Sequence, residues 1–464
     1  MIDSPWPGDA CSLVDGFRAG VRSPVEELEA TLAAIEASEL NAFCHIDGDA
    51  ALERARTADV LHPFGGVPIG IKELDFVAGW PATDASLVFR DRRAGHTSTM
   101  VERLVGAGAN PVGQTTSSEF GGLNISVSKL HGVTRNPWDL GRTTGGSSAG
   151  SSAAVAGGLV TIATGGDGGG SIRIPAGFCG LVGMKGTAGR IPRGPETMIG
   201  PLTVVLGCMA RSVRDVARWY DVCSGYDTRD PYSLPRLDGW EPNLGSYQEA
   251  LRGRRAVIVP TLGSAVVRPE VEAVVRRAAE ALIKQAGLEL VDVDVTLPGL
   301  GFEWVITNLA TLLAELGDRW PGCRDELTPE IAFGLEMATQ TMNLDVAARY
   351  ELARTAANEA MAAVFDEVDF VFAATNPDVA FPAGVALNTR VGDVQVGPEN
   401  NGALTIPANI VGNPAVAIPA GEIEGLPVGL QVIGRHHEDA LLLDLALIAE
   451  REQPWPSVVP GAPR

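Results

Sequence analysis

Three polar residues in apolar or glycine-rich surroundings are the best candidates for chemistry in this sequence. Lys72 follows the apolar run 67–71, and Ser147 and Ser171 each follow consecutive glycines. A serine hydroxyl is a poor nucleophile until a neighbouring group accepts its proton. A lysine can accept that proton when burial among apolar groups lowers its pKa and populates the neutral amine. A second hydroxyl can relay the proton because it both donates and accepts, so the three residues predict nucleophilic catalysis by serine with lysine as the base.

The glycines that precede Ser171 add a second catalytic element. Gly168, Gly169 and Gly170 have no Cβ, so their amides and that of Ser171 can approach a substrate carbonyl closely. Such donors form an oxyanion hole, and one of them is worth about 3–4 kcal/mol in the transition state. The chain holds 55 glycines, and 16 of them lie between residues 141 and 189. We expect this excess where the backbone must bend beside Ser147 and approach a carbonyl before Ser171.

Neither the histidines nor the cysteines form a metal or redox motif. The six histidines include no His-Glu-x-x-His, and no two of the six cysteines are spaced as Cys-x-x-Cys. We therefore expect no metal and no cofactor. Scattered cysteines in a chain of 464 residues are typical of buried thiols in a reducing compartment, which predicts a cytoplasmic protein.

Charge and hydropathy argue against two classes of partner. The chain has 57 acidic against 36 basic residues and a formal net charge of -21, so nucleic acid is not expected as a partner. The first 20 residues lack the basic start and apolar run of a signal peptide. Residues 143–166 are uncharged but rich in Gly, Ser, Thr and Ala, so a bilayer would gain little from them and no membrane span is expected.

The elements that must position the candidate residues alternate between helices and strands. Ser23-Pro24-Val25-Glu26 is a helix start with a serine cap, a proline in the first turn and a capping box. The predicted helices are 23–38, 49–59, 99–106, 150–156, 269–285, 344–365 and 438–451. The predicted strands are 67–71, 110–113, 159–163, 256–260, 369–374, 415–419 and 428–433, with a tight loop at 165–170. The alternation favours an α/β fold with a mixed central sheet.

Two short motifs suggest other chemistry but lack their partners. Residues 146–150 match the Gly-x-Ser-x-Gly elbow of α/β-hydrolases, yet the only downstream histidines are His436 and His437, far along the chain. Residues 126–129 match the Ser-x-x-Lys of penicillin-recognising enzymes, but Ser-Asp-Asn and Lys-Thr-Gly are missing. We interpret the second motif as an exposed turn.

A longer pattern covers most of the chain. It includes Phe-Gly-Gly-Val-Pro-Ile-Gly-Ile-Lys ending at Lys72, and segments at 113–116, 136–139, 145–151, 165–175, 180–185, 211–215, 409–419 and 425–434. This pattern resembles the amidase signature family. The resemblance implies that family's Ser–cis-Ser–Lys triad, with Ser171 as the nucleophile, Ser147 as the cis-serine and Lys72 as the base. Glu73 and Thr144 depart from it, because the family often has Asp and Pro there.

The resemblance also implies the architecture. It predicts a single domain over 1–464, built on a large mixed sheet covered by helices on both faces, with a variable substrate-pocket region at 220–365. Candidate lining residues there are Trp304, Leu313, Met337 and Met342, although a packed-core role is the simpler interpretation of each.

Residues next to the two serines have expected supporting roles. Asp167 and Arg173 flank the glycine loop, and we expect an ion pair or backbone hydrogen bonds that pin it. Ser148 either supports the proton relay or caps the following helix, and the sequence leaves both interpretations open.

The implied activity is hydrolysis of carbon–nitrogen bonds in small-molecule amides. The run 165–171 is more similar to bacterial amidases of the nylon-oligomer (6-aminohexanoate cyclic dimer) hydrolase type than to the amidotransferase chains that act on glutamine. The same catalytic groups would also cleave carbamates and aryl esters, because both present a polarised carbonyl to the oxyanion hole.

Two alternative functions remain open. One is the A subunit of a transfer-RNA-dependent amidotransferase that releases ammonia from glutamine, and the other is a binding protein with a dead site. A homodimer is the default expectation for its assembly.

Overall fold

A computed structural model describes residues 4–195, 203–385 and 387–462. Within these residues eleven strands form one mixed sheet. They are β1 (Phe43–Ile46), β2 (Pro68–Lys72), β3 (Asn110–Thr115), β8 (Ile162–Asp167), β9 (Val182–Lys185), β10 (Val205–Ala210), β11 (Arg255–Ile258), β12 (Glu289–Leu290), β13 (Phe370–Ala374), β16 (Ala415–Ile423) and β17 (Leu426–Gly434). Their order in the sheet is β1-β3-β2-β8-β10-β9-β16-β17-β13-β11-β12. Three two-stranded ribbons pair β4 (Val127–Ser128) with β5 (Gly132–Val133), β6 (Arg135–Asn136) with β7 (Asp139–Thr143), and β14 (Arg390–Val391) with β15 (Val394–Gln395).

The sheet is covered on both faces. Every residue of β2, β3, β13 and β17 is buried. Since successive side chains of a strand point to opposite faces, complete burial requires packing on each side. The α/β fold with a large mixed sheet under helices is therefore confirmed.

Fourteen α-helices lie within the described ranges. They are α1 (Ala10–Arg18), α2 (Pro24–Ala37), α3 (Gly48–Arg56), α4 (Thr99–Gly106), α5 (Ala149–Ala156), α6 (Arg173–Cys179), α7 (Val213–Cys223), α8 (Gln248–Leu251), α9 (Pro269–Ala286), α10 (Gly301–Leu316), α11 (Pro329–Thr341), α12 (Leu344–Glu367), α13 (Ile406–Val411) and α14 (Asp439–Glu452). Helices α5 and α6 contact each other and the sheet. Helix α14 contacts α7 and α9, and all three contact the sheet. No helix in the described part of the chain is long and apolar enough to cross a membrane.

The start of α2 follows from local chemistry. The Ser23 hydroxyl accepts a hydrogen bond from the Glu26 amide, and the Glu26 carboxylate accepts one from the Ser23 amide at 2.8 Å. This is the predicted capping box.

The apolar core joins distant parts of the chain. Its largest cluster of buried side chains includes members from Ala10 to Ile448. Helices α10 and α11 instead pack around a smaller cluster that contains Leu309, Leu316 and Leu335. Thus part of the region predicted to be variable has a core of its own.

Two local predictions differ from the structure. The strand predicted at 159–163 is Ile162–Asp167, so Gly165 and Gly166 lie in the strand and not in a loop. Strand β10 pairs with all six residues of β8, and this pairing outweighs the low strand propensity of glycine. Ser126 is also not in an exposed turn, because it is buried and its hydroxyl is hydrogen-bonded to that of Thr143 at 2.9 Å.

Candidate active site

Parallel strands bring the candidate residues to one edge of the sheet. Strand β2 ends at Lys72, and the neighbouring β8 leads into the loop that contains Ser171. The two strands pair in parallel, with Ile69 opposite Ile162. Their carboxyl ends therefore lie together, which is where open α/β sheets place their ligand sites.

The Lys72 ammonium group lies among polar atoms from two other segments. Its Nζ donates to Ser147 Oγ at 2.7 Å, to Ser148 Oγ at 3.0 Å and, more weakly, to the Gly166 carbonyl at 3.4 Å. Ser148 occupies the N-cap position of α5 but makes no capping hydrogen bond. Of the two interpretations of Ser148, the structure favours support of the lysine.

Burial sets the protonation of Lys72. The residue is 2% exposed. Desolvation lowers the pKa of Lys72 to about 8, against the opposing effect of the Asp75, Asp167 and Glu73 carboxylates. A substantial fraction of this amine is therefore neutral near pH 8, as a general base requires.

The backbone around Lys72 is held by hydrogen bonds. The Lys72 amide donates to Thr164 Oγ1 at 2.7 Å, and that hydroxyl donates to the Asp75 carboxylate at 2.6 Å. The following amide, of Glu73, donates to the Thr115 carbonyl at 3.1 Å. These contacts bind the end of β2 to both of its neighbours.

Ser147 lies where two backbone segments approach closely. The Gly146–Ser147 peptide bond is cis. A Cβ on Gly146 would be 2.8 Å from the backbone nitrogen of Ile125, and Gly145 has φ +73°. Only glycine fits both requirements.

Ser171 is 5% exposed and follows the glycine loop after β8. Its carbonyl accepts a long hydrogen bond from the Ser148 amide at 3.4 Å, which places the backbones of the two serine segments side by side. Within the described residues the Ser171 hydroxyl makes no hydrogen bond with Ser147. The structure thus brings the three predicted residues to one edge, with the Lys72–Ser147 contact formed.

The glycine loop is tethered at three points. Trp304 Nε1 donates to the Gly168 carbonyl at 2.9 Å, and Thr405 Oγ1 donates to the Gly169 carbonyl at 2.6 Å. The Gly170 amide donates to Asp167 Oδ1 at 2.7 Å. One of the four predicted oxyanion-hole amides, that of Gly170, is thus already engaged, whereas those of Gly168, Gly169 and Ser171 have no partner among the described residues.

A buried ion pair supports the same loop. Arg173 donates to both carboxylate oxygens of Asp167, at 2.9 and 3.0 Å, as expected for a contact that pins the loop. Burial alone would raise the pKa of Asp167, but the guanidinium of Arg173 holds it well below its usual range. Arg173 also donates to Gln431 Oε1 and Asn409 Oδ1, both at 2.6 Å.

Another cluster lies beside Lys72. The ligand atoms of Cys44, Glu73 and His131 are all within 4.8 Å of one another. The Glu73 carboxylate accepts hydrogen bonds from the Ser117 and Ala85 amides, from the Thr83 hydroxyl and from His131. Three of these bonds go to Oε2 and one goes to Oε1, so this glutamate joins the segments that surround the end of β2.

Sequence reasoning missed the partners of the loop. Thr405, Asn409 and Gln431 lie more than 230 residues after the atoms they contact. The segment 409–419 belongs to the matched pattern, but no spacing rule connects it to Asp167. Trp304 was a candidate lining residue, and its hydrogen bond to Gly168 places it at the site.

Sequence comparison identifies related proteins over nearly the whole chain. A family model described as Amidase matches residues 26–443. The chain is 34% identical over 471 residues to the A subunit of the glutamyl-tRNA(Gln) amidotransferase of Chloroflexus aggregans, with 94% of each chain covered. It is 31% identical over 485 residues to an acylamidase of Rhodococcus erythropolis, with 95% of this chain and 94% of the relative covered.

Two solved structures are similar to the whole fold. A bacterial aryl acylamidase of the amidase signature family has a TM-score of 0.88 and 28% identity, with 97% of each chain covered. A 6-aminohexanoate cyclic dimer hydrolase complexed with substrate has a TM-score of 0.87 and 27% identity, with 98% of this chain and 99% of the other covered. These matches confirm the resemblance found in the sequence. The chain belongs to the amidase family, and it is a hydrolase of amides.

Proposed function

We propose that this hydrolase cleaves amides that have an uncharged, apolar acyl group, through an acyl-enzyme on Ser171. The observation that carries the triad assignment is the 2.7 Å contact between Lys72 Nζ and Ser147 Oγ, at a lysine whose pKa is lowered to about 8. A lysine with this pKa accepts a proton near neutral pH, which a surface lysine cannot do.

The proton path follows from this contact. Ser171 Oγ attacks the amide carbon while its proton passes to Ser147 Oγ, and the Ser147 proton passes to the neutral amine of Lys72. The negative charge that develops on the carbonyl oxygen is stabilised by loop amides, of which those of Gly168, Gly169 and Ser171 have no partner among the described residues. Lys72 then returns the proton through Ser147 to the leaving nitrogen, and the carbon–nitrogen bond breaks. Water then attacks the acyl carbon, and its proton passes through Ser147 to Lys72. Lys72 returns that proton through Ser147 to Ser171 Oγ as the ester bond breaks and the acid leaves.

The side chains around the loop support the choice of acyl group. A Cβ on Gly168 would be 3.3 Å from Val204, and one on Gly169 would be 3.3 Å from Ile406. These neighbours are apolar, and burial of apolar substrate surface against them is favourable. Free glutamine carries an ammonium and a carboxylate, which require charged or strongly polar partners when they are desolvated.

A substrate panel tests the proposal. It contains an anilide and an alkyl carbamate with the same apolar acyl or alkyl group, the matching aryl ester, a cyclic amide and free glutamine. We expect turnover of the anilide, and a fall in kcat/KM of about 10⁴-fold or more in Ser171→Ala and Lys72→Met. Ser264→Ala and Lys284→Met change the same residue types at exposed positions and should leave kcat/KM unchanged.

Covalent labelling gives an independent readout. A fluorophosphonate should label Ser171, detected as a mass shift on its tryptic peptide, and should not label Ser171→Ala. Full activity of Ser171→Ala, or labelling at another serine alone, would overturn the triad assignment.

Glutamine hydrolysis is the second candidate, because the amidotransferase chain from Chloroflexus aggregans is 34% identical to this one. The panel separates the two candidates. Ammonia release from glutamine by the isolated chain, at a rate above that of anilide cleavage, would favour the second.

A further inference from the structure

We propose that Trp304 is a positioning residue that sets the orientation of the oxyanion-hole amide of Gly169. This inference rests on the function proposed above. Trp304 lies in the first turn of α10, with its amide donating to the Leu300 carbonyl at 2.9 Å. Its indole Nε1 donates to the Gly168 carbonyl at 2.9 Å. The indole thus contacts the backbone of the loop that precedes the nucleophile.

Peptide geometry converts this contact into an orientation. The Gly168 carbonyl and the Gly169 amide belong to one planar trans peptide, so they point in opposite directions. When the indole binds the carbonyl, it therefore fixes the direction in which the amide hydrogen points. Glycine peptides rotate with little steric resistance, so an untethered loop would sample other orientations.

The next peptide of the loop is held differently. Thr405 binds the Gly169 carbonyl, and Asp167 binds the Gly170 amide, so that peptide is tethered at both ends. Among the described residues, the peptide between Gly168 and Gly169 has one hydrogen-bond tether, which is Trp304. Its amide is free to meet substrate, and its alignment depends on the indole.

The ring also packs against the loop. A Cβ on Gly169 would be 2.9 Å from Trp304 Cζ2, so the indole fits only because Gly169 has no side chain. Trp304 packs in addition against the small apolar cluster that contains Leu300 and Ile406. This second contact holds the ring in place. Trp304 therefore both packs in an apolar cluster and contacts the loop, so the core and lining interpretations of the residue are compatible.

Trp304→Phe tests the proposal because it removes the Nε1 donor and retains an aromatic ring. We expect kcat for the anilide to fall about 10–100-fold, with KM changed less than about 3-fold, since a misaligned oxyanion donor weakens transition-state binding selectively. Fluorophosphonate labelling should slow by a similar factor. A phenylboronic acid, which forms a tetrahedral adduct on the nucleophile, should bind more weakly by the same factor.

Trp455→Phe is the matched control. Trp455 Nε1 also donates to a backbone carbonyl, that of Arg211 at 3.0 Å. Arg211 follows Ala210, which pairs with Ile162 at the end of β8 opposite to the glycine loop. The control should leave kcat, labelling rate and boronate affinity unchanged. Trp304→Tyr, which also lacks the Nε1 donor, is the second variant if Trp304→Phe does not fold, as judged by thermal unfolding.

The outcomes separate this inference from the proposed function. If Ser171→Ala retains activity, the proposed function fails. If Ser171 is essential but the folded Trp304 variant has the wild-type kcat and boronate affinity, the positioning role alone is overturned. A raised KM with unchanged kcat also overturns it, because Trp304 would then act as a substrate contact.

Discussion

Lys72 Nζ and Ser147 Oγ are 2.7 Å apart although 75 residues separate them in the chain. The lysine ends a central strand, and the serine precedes α5. Both side chains are buried, so the ammonium form has lost most of its hydration and has two hydroxyls and a carbonyl in its place. The charged and neutral forms of Lys72 therefore differ little in free energy near neutral pH, in line with its pKa of about 8.

The rate should depend on pH through Lys72. In the proposed mechanism its neutral form is the base, and the neutral fraction increases as pH rises, so kcat/KM should increase through an inflection near pH 8 and then level off. Steady-state rates on the anilide between pH 6 and 10 measure this. Lys72→Arg should be inactive throughout, because arginine keeps its proton in this range. A wild-type profile that is flat from pH 6 to 10 would contradict the role of the lysine.

Ser148→Ala should lower kcat, because Ser148 contacts Lys72 and does not cap α5. The variant removes one of the two hydroxyls that contact Lys72 Nζ, and we expect kcat to fall about 10-fold because a hydrogen bond to a charged group is worth about 1.5–3 kcal/mol at most. The free energy of unfolding should also fall, by about 1–3 kcal/mol, because Ser148 is buried and its hydroxyl no longer contacts Lys72. None of this cost comes from a helix cap, because Ser148 makes no capping bond.

Ser23→Ala is the opposite case and serves as its control. Ser23 caps α2 through a complete capping box, so its loss should cost about 1 kcal/mol of stability and leave kcat unchanged. Urea unfolding and initial rates on the same preparations measure both effects. Loss of stability with unchanged kcat in Ser148→Ala would restore the capping interpretation.

Breaking the ion pair under the glycine loop should be costly. Arg173→Met leaves the Asp167 carboxylate buried without its main partner, and we expect the free energy of unfolding to fall by about 3–5 kcal/mol. Asp345→Asn disrupts an exposed pair with Arg349 of similar length, 2.7 Å, and should cost less than about 0.5 kcal/mol. Equal costs for the two variants, measured by urea unfolding, would show that burial adds nothing to the pair.

Gly170→Ala should abolish activity. Gly170 has φ +123°, and an added Cβ would lie 2.8 Å from Thr405 Cβ, so the loop must move. We expect a loss of more than about 100-fold in kcat and a cost of about 1–3 kcal/mol in stability. Gly95→Ala, where nothing lies within 4 Å of the new Cβ, is the control and should be neutral. Wild-type kcat in Gly170→Ala would mean that the loop geometry is not limiting.

The amino-acid sequence by itself determined the local elements and predicted the chemistry. The types of Lys72, Ser147 and Ser171 predict a serine nucleophile with a lysine base, and the capping box of α2 depends on residues only three apart. Such features are set by side-chain chemistry and by short spacing, so they can be predicted without a fold.

The tertiary structure decided which of these groups are available to a substrate. The Gly170 amide donates to Asp167, and the Gly168 and Gly169 carbonyls accept hydrogen bonds from Trp304 and Thr405, which lie far along the chain. The extent of β8 likewise depends on its pairing with β10. Partners of this kind are selected by the packing of distant elements, which no local spacing in the sequence encodes.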